Sequence, residues 1–170
     1  MSANETREVF VTGLKNAHAM ENQALSIMKP QLSRIENYPE VAAKLEQHIR
    51  ETDRQIVRIE QILDGLDEDH SSLKDMALSL TGSMAAMAHT MAGDEILKNS
   101  FANFAFEHFE MAAYKSLLTV AEAGGYRAAT SALQANLAEE KAMAQWLDEN
   151  IVSVTTKFLS LREAGEKAKV

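Results

Sequence analysis

Six side chains carry most of the chemistry this chain can do. Glu21, His48, Glu51, Glu107, Glu110 and Glu140 each fall on or beside an apolar stripe of helical spacing, at places where leucine is the ordinary residue. Glu21 lies seven residues from both Leu14 and Met28. Glu107 is in line with Ser100, Phe104, Met111, Tyr114 and Leu118, and Glu110 follows one turn later in the arc that Leu117 and Ala121 continue. Glu140 follows Leu133 and Leu137 and precedes Ala144 and Leu147, while His48 lies between Leu45 and Ile59 with Glu51 at the edge of the stripe. Residues three apart share a helix face, so His48 with Glu51, and Glu107 with Glu110, can each present two ligand atoms to one point.

Burying an ionised carboxylate costs several kcal/mol unless it is paired or binds a metal. Two divalent cations would neutralise four carboxylates and leave histidine to complete the coordination, as in di-iron and di-manganese carboxylate bundles. A metal-free alternative stays open, in which the glutamates pair with Arg50, Arg54 or Lys141, although those cations fall away from the stripes. Other candidates have plainer readings. His18, one turn before Glu21, is a core histidine or a partner of a ligand, and Tyr114 is a core tyrosine that could hydrogen-bond a ligand. His108 points about 100° away from Glu107 and is expected to face another helix or solvent, while Glu139 lies off its stripe by about the same angle and is expected at the surface. His70 and His89 are read as exposed or structural, and the methionines as packing.

The elements that must position these residues are helical. Seven glycines and two prolines leave few breaks in 170 residues. A first helix runs from Glu5 to about Ile35, with Pro30 expected to kink it or end its regular part. Tyr38-Pro39-Glu40 reads as the start of a second helix that reaches Leu63. A third spans about Asp94 to Ala123, closed by Gly124-Gly125, and a fourth runs from about Ala128 to Phe158 or a little beyond. Residues 162–170 are expected to fray. Between the two helix pairs, the stretch Met76 to Ala92 has no Asp, Glu, Lys or Arg and repeats Met with Ala. It is too short and too diluted by Ser, Thr and Gly for a membrane span, and reads as a short helix packed on the core or in an oligomer interface. Two long helices, a crossover element and two more long helices predict an all-α, ferritin-like four-helix bundle with a short extra helix in the crossover, in a single domain over residues 1–170.

Composition sets the outer limits. The chain has no cysteine, which removes disulfides, thiolate metal sites and cysteine nucleophiles. A formal charge of −8, from 17 Lys+Arg against 25 Asp+Glu, argues against a nucleic-acid partner. The first residues show no basic stretch followed by an apolar run, so a cytoplasmic protein is expected, with no membrane partner.

Certain motifs also carry a resemblance. These are Ala-His-Ala-Met-Glu-Asn-Gln at 17–23, Tyr-Pro-Glu at 38–40, Glu-Gln-His-Ile-Arg-Glu-Thr at 46–52 with Gln-Ile at 55–56, Phe-Glu-His-Phe-Glu at 106–110, and Glu-Glu-Lys at 139–141 with Trp146-Leu147. Over about residues 8 to 160 the chain resembles the YciE/YciF family of bacterial stress proteins, most of all its YciE members. The resemblance implies a ferritin-like bundle, commonly a homodimer, with a dinuclear metal site. Carried over by residue, Glu21 is the first-helix ligand, His48 and Glu51 the second-helix pair, Glu107 and Glu110 come from the third helix, and Glu140 from the fourth. The pattern departs from the Glu-x-x-His usual in ferritin-like enzymes, since Arg54 and Met143 stand where histidine would follow.

Two functions follow as expectations. In the first, an iron or manganese pair oxidises ferrous iron or consumes peroxide, with dioxygen or peroxide at its open positions. Glu51 and Glu140 would bridge, Glu21 and Glu107 would be terminal, His48 would add nitrogen, and Glu110 would bridge or cap. In the second, the chain is a non-enzymatic dimeric scaffold joined through residues 76–92, with a structural or vestigial metal site.

Overall fold

A computed structural model describes residues 2–68 and 92–170. The expectations for residues 76–91, for the extra crossover helix and for His70 and His89 lie outside the described residues. Four helices are described: α1 (Ala3–Arg34), α2 (Pro39–Asp64), α3 (Glu95–Gly124) and α4 (Arg127–Glu163). Among the described residues there is no strand, and no helix is long and apolar enough to cross a membrane.

Local chemistry explains most of the boundaries. Ser2 and Glu5 form a reciprocal capping box that satisfies free amides at the start of α1. Pro39 occupies the first turn of α2, where its missing N–H costs nothing. Gly125 ends α3 in the left-handed region at φ 74°, a conformation that suits glycine. Pro30 does not end α1, which continues to Arg34. The turn beyond the proline is tied to α3 by Gln31 on Asn103 and Arg34 on Glu95, and these contacts offset the single lost backbone bond.

Cross-helix contacts fix the directions. Arg7 meets Glu68 and His18 meets Glu60, so α2 runs antiparallel to α1. Tyr114 meets Glu21 while Asn103 meets Gln31, so α3 also runs antiparallel to α1. Glu40 lies by Lys157 and Arg58 by Asn136, which orients α4 against α2. Helices α2 and α3 are therefore parallel, and the chain between them must join opposite ends of the bundle, about 40 Å apart at 1.5 Å per residue. That is the ferritin-like connectivity that the sequence predicts. At Gly13, an added Cβ would lie 2.8 Å from Leu117 Cδ2, so its missing side chain lets α1 approach α3 closely.

The apolar core fills both ends of the bundle. Phe10, Leu14, Ile59, Leu63 and Leu133 pack toward one end, with Phe10 stacked on Tyr126 at 4.4 Å, and Tyr38, Leu45, Met143 and Leu147 toward the other. Residues 164–170 do not fray. Tyr38 Oη donates to the Ala168 carbonyl at 2.7 Å, the Asn37 amide to the Val170 carbonyl at 3.2 Å, and the Ile96 amide to the Lys169 carbonyl at 2.9 Å. Ala168 and Val170 are buried in this return, which also supplies acceptors to free amides at the start of α3.

Candidate metal centre

Each central candidate ligand is buried because it occupies a core position of its helix. Glu21, His48, Glu107, Glu110 and Glu140 are all 2% exposed or less. One side-chain oxygen or nitrogen from each of His48, Glu107, Glu110 and Glu140 lies within 4.8 Å of the others, so three helices converge on one point. The fourth helix, α1, brings Glu21 beside them.

Each of three ligands is held by one atom and offers the other. Tyr114 Oη donates to Glu21 Oε1, and Gln55 Nε2 donates to Glu140 Oε1. His48 Nδ1 lies 3.2 Å from Glu51 Oε2, and Nε2 faces inward, 3.3 Å from Glu107 Oε2 and 3.4 Å from Glu140 Oε2. The oxygens left over are Glu21 Oε2, Glu107 Oε2, both of Glu110 and Glu140 Oε2. All are buried without a hydrogen-bond partner. Orphaned buried oxygens are costly, and a cluster of them from separate helices is the donor set of a hard divalent cation. The residues present fit such a metal.

Electrostatics agree. Burial, reinforced by Glu140, pushes the Glu21 and Glu110 carboxyls well above the usual range, and burial lifts Glu107 to about 8 against the pull of His48. Burial alone would depress His48, but Glu107, Glu140 and Glu51 outweigh it and hold the imidazole well above its ordinary value. Without metal, the cluster tolerates its charge by keeping protons.

Glu51 is set apart from the other five. It is only partly buried, its Oε1 accepts from Gln47, and its Oε2 faces the outer nitrogen of His48 rather than the cluster. The hydrogen bond to His48 holds its pKa down at about 2. As an ionised acceptor it requires Nδ1 to carry the proton, which turns Nε2 toward the cluster.

The secondary candidates fall outside the cluster, and all but Glu139 are placed as expected. His18 binds Glu60 at 3.0 Å on the α1–α2 side and does not reach the cluster, and His108 is exposed. None of the three cations considered for a metal-free network enters the site. Arg50 pairs with Glu46, Arg54 lies 3.8 Å from Glu139, and Lys141 is exposed. Glu139 is not a plain surface residue, since Arg58 holds both its oxygens at 2.6 and 3.0 Å and Gln55 donates to it at 3.1 Å.

Sequence reasoning missed Gln55, Asn136 and Arg58. Asn136 Nδ2 donates to Tyr114 Oη at 2.9 Å and its carbonyl oxygen accepts from Arg58 at 2.8 Å, so a chain of bonds runs from Arg58 to Glu21. The available signal was spacing. Thr52 and Gln55 continue the His48 stripe to Ile59 in steps of four, three and four residues, and both are fully buried.

Comparison with known proteins places this geometry in a family. Residues 5–160 match DUF892, described as a domain of unknown function. The chain belongs to the DUF892 family. It is 29% identical over 150 residues to Protein YciF of Escherichia coli strain K12, an alignment covering 84% of this chain and 87% of that protein. A crystal structure of a Xanthomonas campestris pv. campestris protein is 30% identical, with TM-score 0.77 over 93% of this chain and 99% of the other. The crystal structure titled as the E. coli stress protein YciF shares the fold at TM-score 0.66 and 24% identity, over 87% of this chain and 97% of that one. The resemblance to the YciE/YciF family is therefore upheld by sequence over most of this DUF892 chain.

Proposed function

We propose that this DUF892 protein holds a carboxylate-rich dinuclear iron or manganese centre and uses it to oxidise ferrous iron or to consume peroxide in a stress setting. The supporting observation is the set of five buried oxygens from Glu21, Glu107, Glu110 and Glu140 that make no hydrogen bond, two of them 3.3 and 3.4 Å from His48 Nε2. Four carboxylates and one neutral imidazole match the charge of two divalent cations. His48, Glu107, Glu110 and Glu140 would hold one cation, and Glu21 with the adjoining carboxylates would complete the second position. When bound, such a centre supplies one-electron chemistry and open positions for dioxygen or peroxide. The chain's own residues orient it: Tyr114 fixes Glu21, Gln55 fixes Glu140, and Glu51 fixes His48 as a positioning residue rather than a bridge. Apolar side chains such as Leu14 and Ile59 on one side and Leu45 and Met143 on the other limit water at the ligands. The stress setting rests on the likeness to YciF, a stress protein, alone.

Elemental analysis tests the reading, on protein purified without chelator or tag-derived metal, beside a Glu21→Ala/Glu140→Ala variant. About two iron or manganese ions per chain, lost in the variant, is the expected result for such a bundle. No metal after anaerobic ferrous loading would overturn it.

A second reading, a homodimeric scaffold, is favoured by an apolar face spanning two helices. Phe101 and Phe104 of α3 line a shallow surface cavity of about 240 Å³ with Leu147 and Ile151 of α4, and Phe101 is 55% exposed. A Phe101→Lys variant that sediments like the wild type would reject that face as the interface.

A further inference from the structure

Between the carboxylate cluster and the end of the bundle where α1 stops and α3 begins, the inner face of α3 is polar. Glu95, Asn99, Asn103 and Glu107 follow one another at four-residue spacing, and all are buried, none more than 7% exposed. Steps of four advance by about 40°, so the four side chains lie in one arc of about 120° and climb about 18 Å. A helix serving only packing would place apolar side chains there. Opposite them on α1, Gln31 meets Asn103 in a reciprocal amide pair, with bonds of 3.3 and 2.9 Å.

Two small voids flank that pair, and Asn103 walls both. The inner one, of about 10 Å³, is lined by Ala24, Met28, Phe106 and Glu107 as well. The outer one, also about 10 Å³, is lined by Gln31, Asn99, Ser100 and Met143 among others. Each is close to the smallest space that holds one water, and amide or carboxylate residues are part of each lining. The inner void ends on Glu107, whose carboxylate reaches His48 Nε2 at 3.3 Å in the cluster. The outer void also touches Ile96, one residue from Glu95. There the Glu95 carboxylate is clasped by Arg34 Nε at 2.8 Å and Lys169 Nζ at 3.2 Å, and Lys169 is brought in by the C-terminal return.

We propose that this polar column is the route by which divalent cations reach the carboxylate cluster, with the Arg34–Glu95–Lys169 clasp closing its outer end. The proposal rests on the metal reading above and extends it to how the centre is filled. A dehydrated divalent cation is smaller than a water molecule, and carbonyl and carboxylate oxygens suit it. Along the column Glu95, the side-chain amides of Asn99, Gln31 and Asn103, and then Glu107 would offer successive oxygens to a cation. The amide pair opens by side-chain rotation, which is fast compared with filling a site by local opening of the bundle.

The test follows loss of the free aqueous Mn²⁺ signal by electron paramagnetic resonance after mixing with metal-free full-length protein. A Gln31→Leu/Asn103→Leu variant replaces both amide partners with apolar side chains of similar size, a change that leaves no buried group orphaned. It is expected to take up Mn²⁺ at least about 10-fold more slowly than the wild type, while reaching the same final stoichiometry and keeping the wild-type circular dichroism. Glu95→Gln, which loosens the clasp, is expected to change the uptake rate and not the stoichiometry. An unchanged rate in the double variant overturns the route and leaves the metal centre standing. A final stoichiometry below wild type overturns it too, because those residues would then build the site rather than lead to it. Slowing by Asn136→Leu alone, on the opposite side of the cluster, would place the route at the other end. Failure of the wild type to take up Mn²⁺, or Fe²⁺ under anaerobic conditions, would refute the metal reading itself.

Discussion

His48 and Glu51, one turn apart on α2, face each other through the outer imidazole nitrogen at 3.2 Å, so that the inner nitrogen points at Glu107 and Glu140. The pair has the geometry of a metal ligand and its orienting carboxylate. Outer partners of this kind typically change metal affinity about 10–100-fold when removed. Glu51→Gln is therefore expected to weaken Mn²⁺ or Fe²⁺ binding by about that factor at unchanged stoichiometry, whereas Glu140→Gln removes bound metal. Titration of the metal-free variants checks both. Loss of stoichiometry in Glu51→Gln would make Glu51 a ligand.

The protons held in the cluster make stability depend on pH in a defined sense. Glu107 titrates near 8 in the fold and near 4.3 in an unfolded chain, so the folded state binds that proton more tightly. Its contribution is fully present below about pH 4 and is lost as pH rises through 8. Glu21, Glu110 and His48 are all shifted upward, so their contributions also disappear with rising pH. Glu51 goes the other way, and its contribution is lost only as pH falls toward 2. Metal-free protein should melt at progressively lower temperature from pH 6 to 9, by up to about 1.4 kcal/mol per pH unit for each extra proton held. Saturating Mn²⁺ should flatten the profile, because the cation replaces those protons. Thermal melts with and without chelator decide it, and a Tm that rises over this range without metal would contradict the proton count.

Tyr114 joins two buried groups, donating to Glu21 and accepting from Asn136 Nδ2 at 2.9 Å. Tyr114→Phe preserves the packing but strips both partners of a bond. Leaving a buried donor or acceptor unsatisfied costs about 1–3 kcal/mol. In a chain of this length that corresponds to a fall in Tm of several degrees, seen by calorimetry on metal-free protein. An unchanged Tm would mean that the Arg58–Asn136–Tyr114–Glu21 chain adds nothing to stability.

Much of the fold and of the site is legible in the sequence. Helical spacing located four long helices, and Glu21, His48, Glu107, Glu110 and Glu140 stood out because charge on a core stripe must be compensated. The reading failed where tertiary contacts override local rules. Pro30 could have ended α1, one of its two expected effects, but Gln31 and Arg34 anchor the turn beyond it to α3. The charged tail looks solvated, yet Lys167 and Lys169 find Glu36 and Glu95, and the backbone between them feeds hydrogen bonds to Tyr38 and Ile96. Gln55 and Asn136 escaped notice because an amide on a stripe carries no charge to flag it, although burial makes equal demands on its partners.

Glu95 gives the clearest case of stability hidden in that tail. Its carboxylate is 1% exposed and meets two cations, Arg34 from α1 and Lys169 from the C-terminal return, whose side chains are 33% and 36% exposed. Removing one cation leaves a buried charge half compensated, and removal of a sole partner typically costs about 3–5 kcal/mol. Because Lys169 stays in place, Arg34→Met should cost less, about 1–3 kcal/mol. Arg34→Met/Lys169→Met should cost more than the sum of its single variants, since each cation partly covers for the other. Glu95→Gln in the double-Met background should recover part of the loss by removing the stranded charge. Urea unfolding of the four variants measures all three statements, and strictly additive losses would show that the two cations act on Glu95 independently.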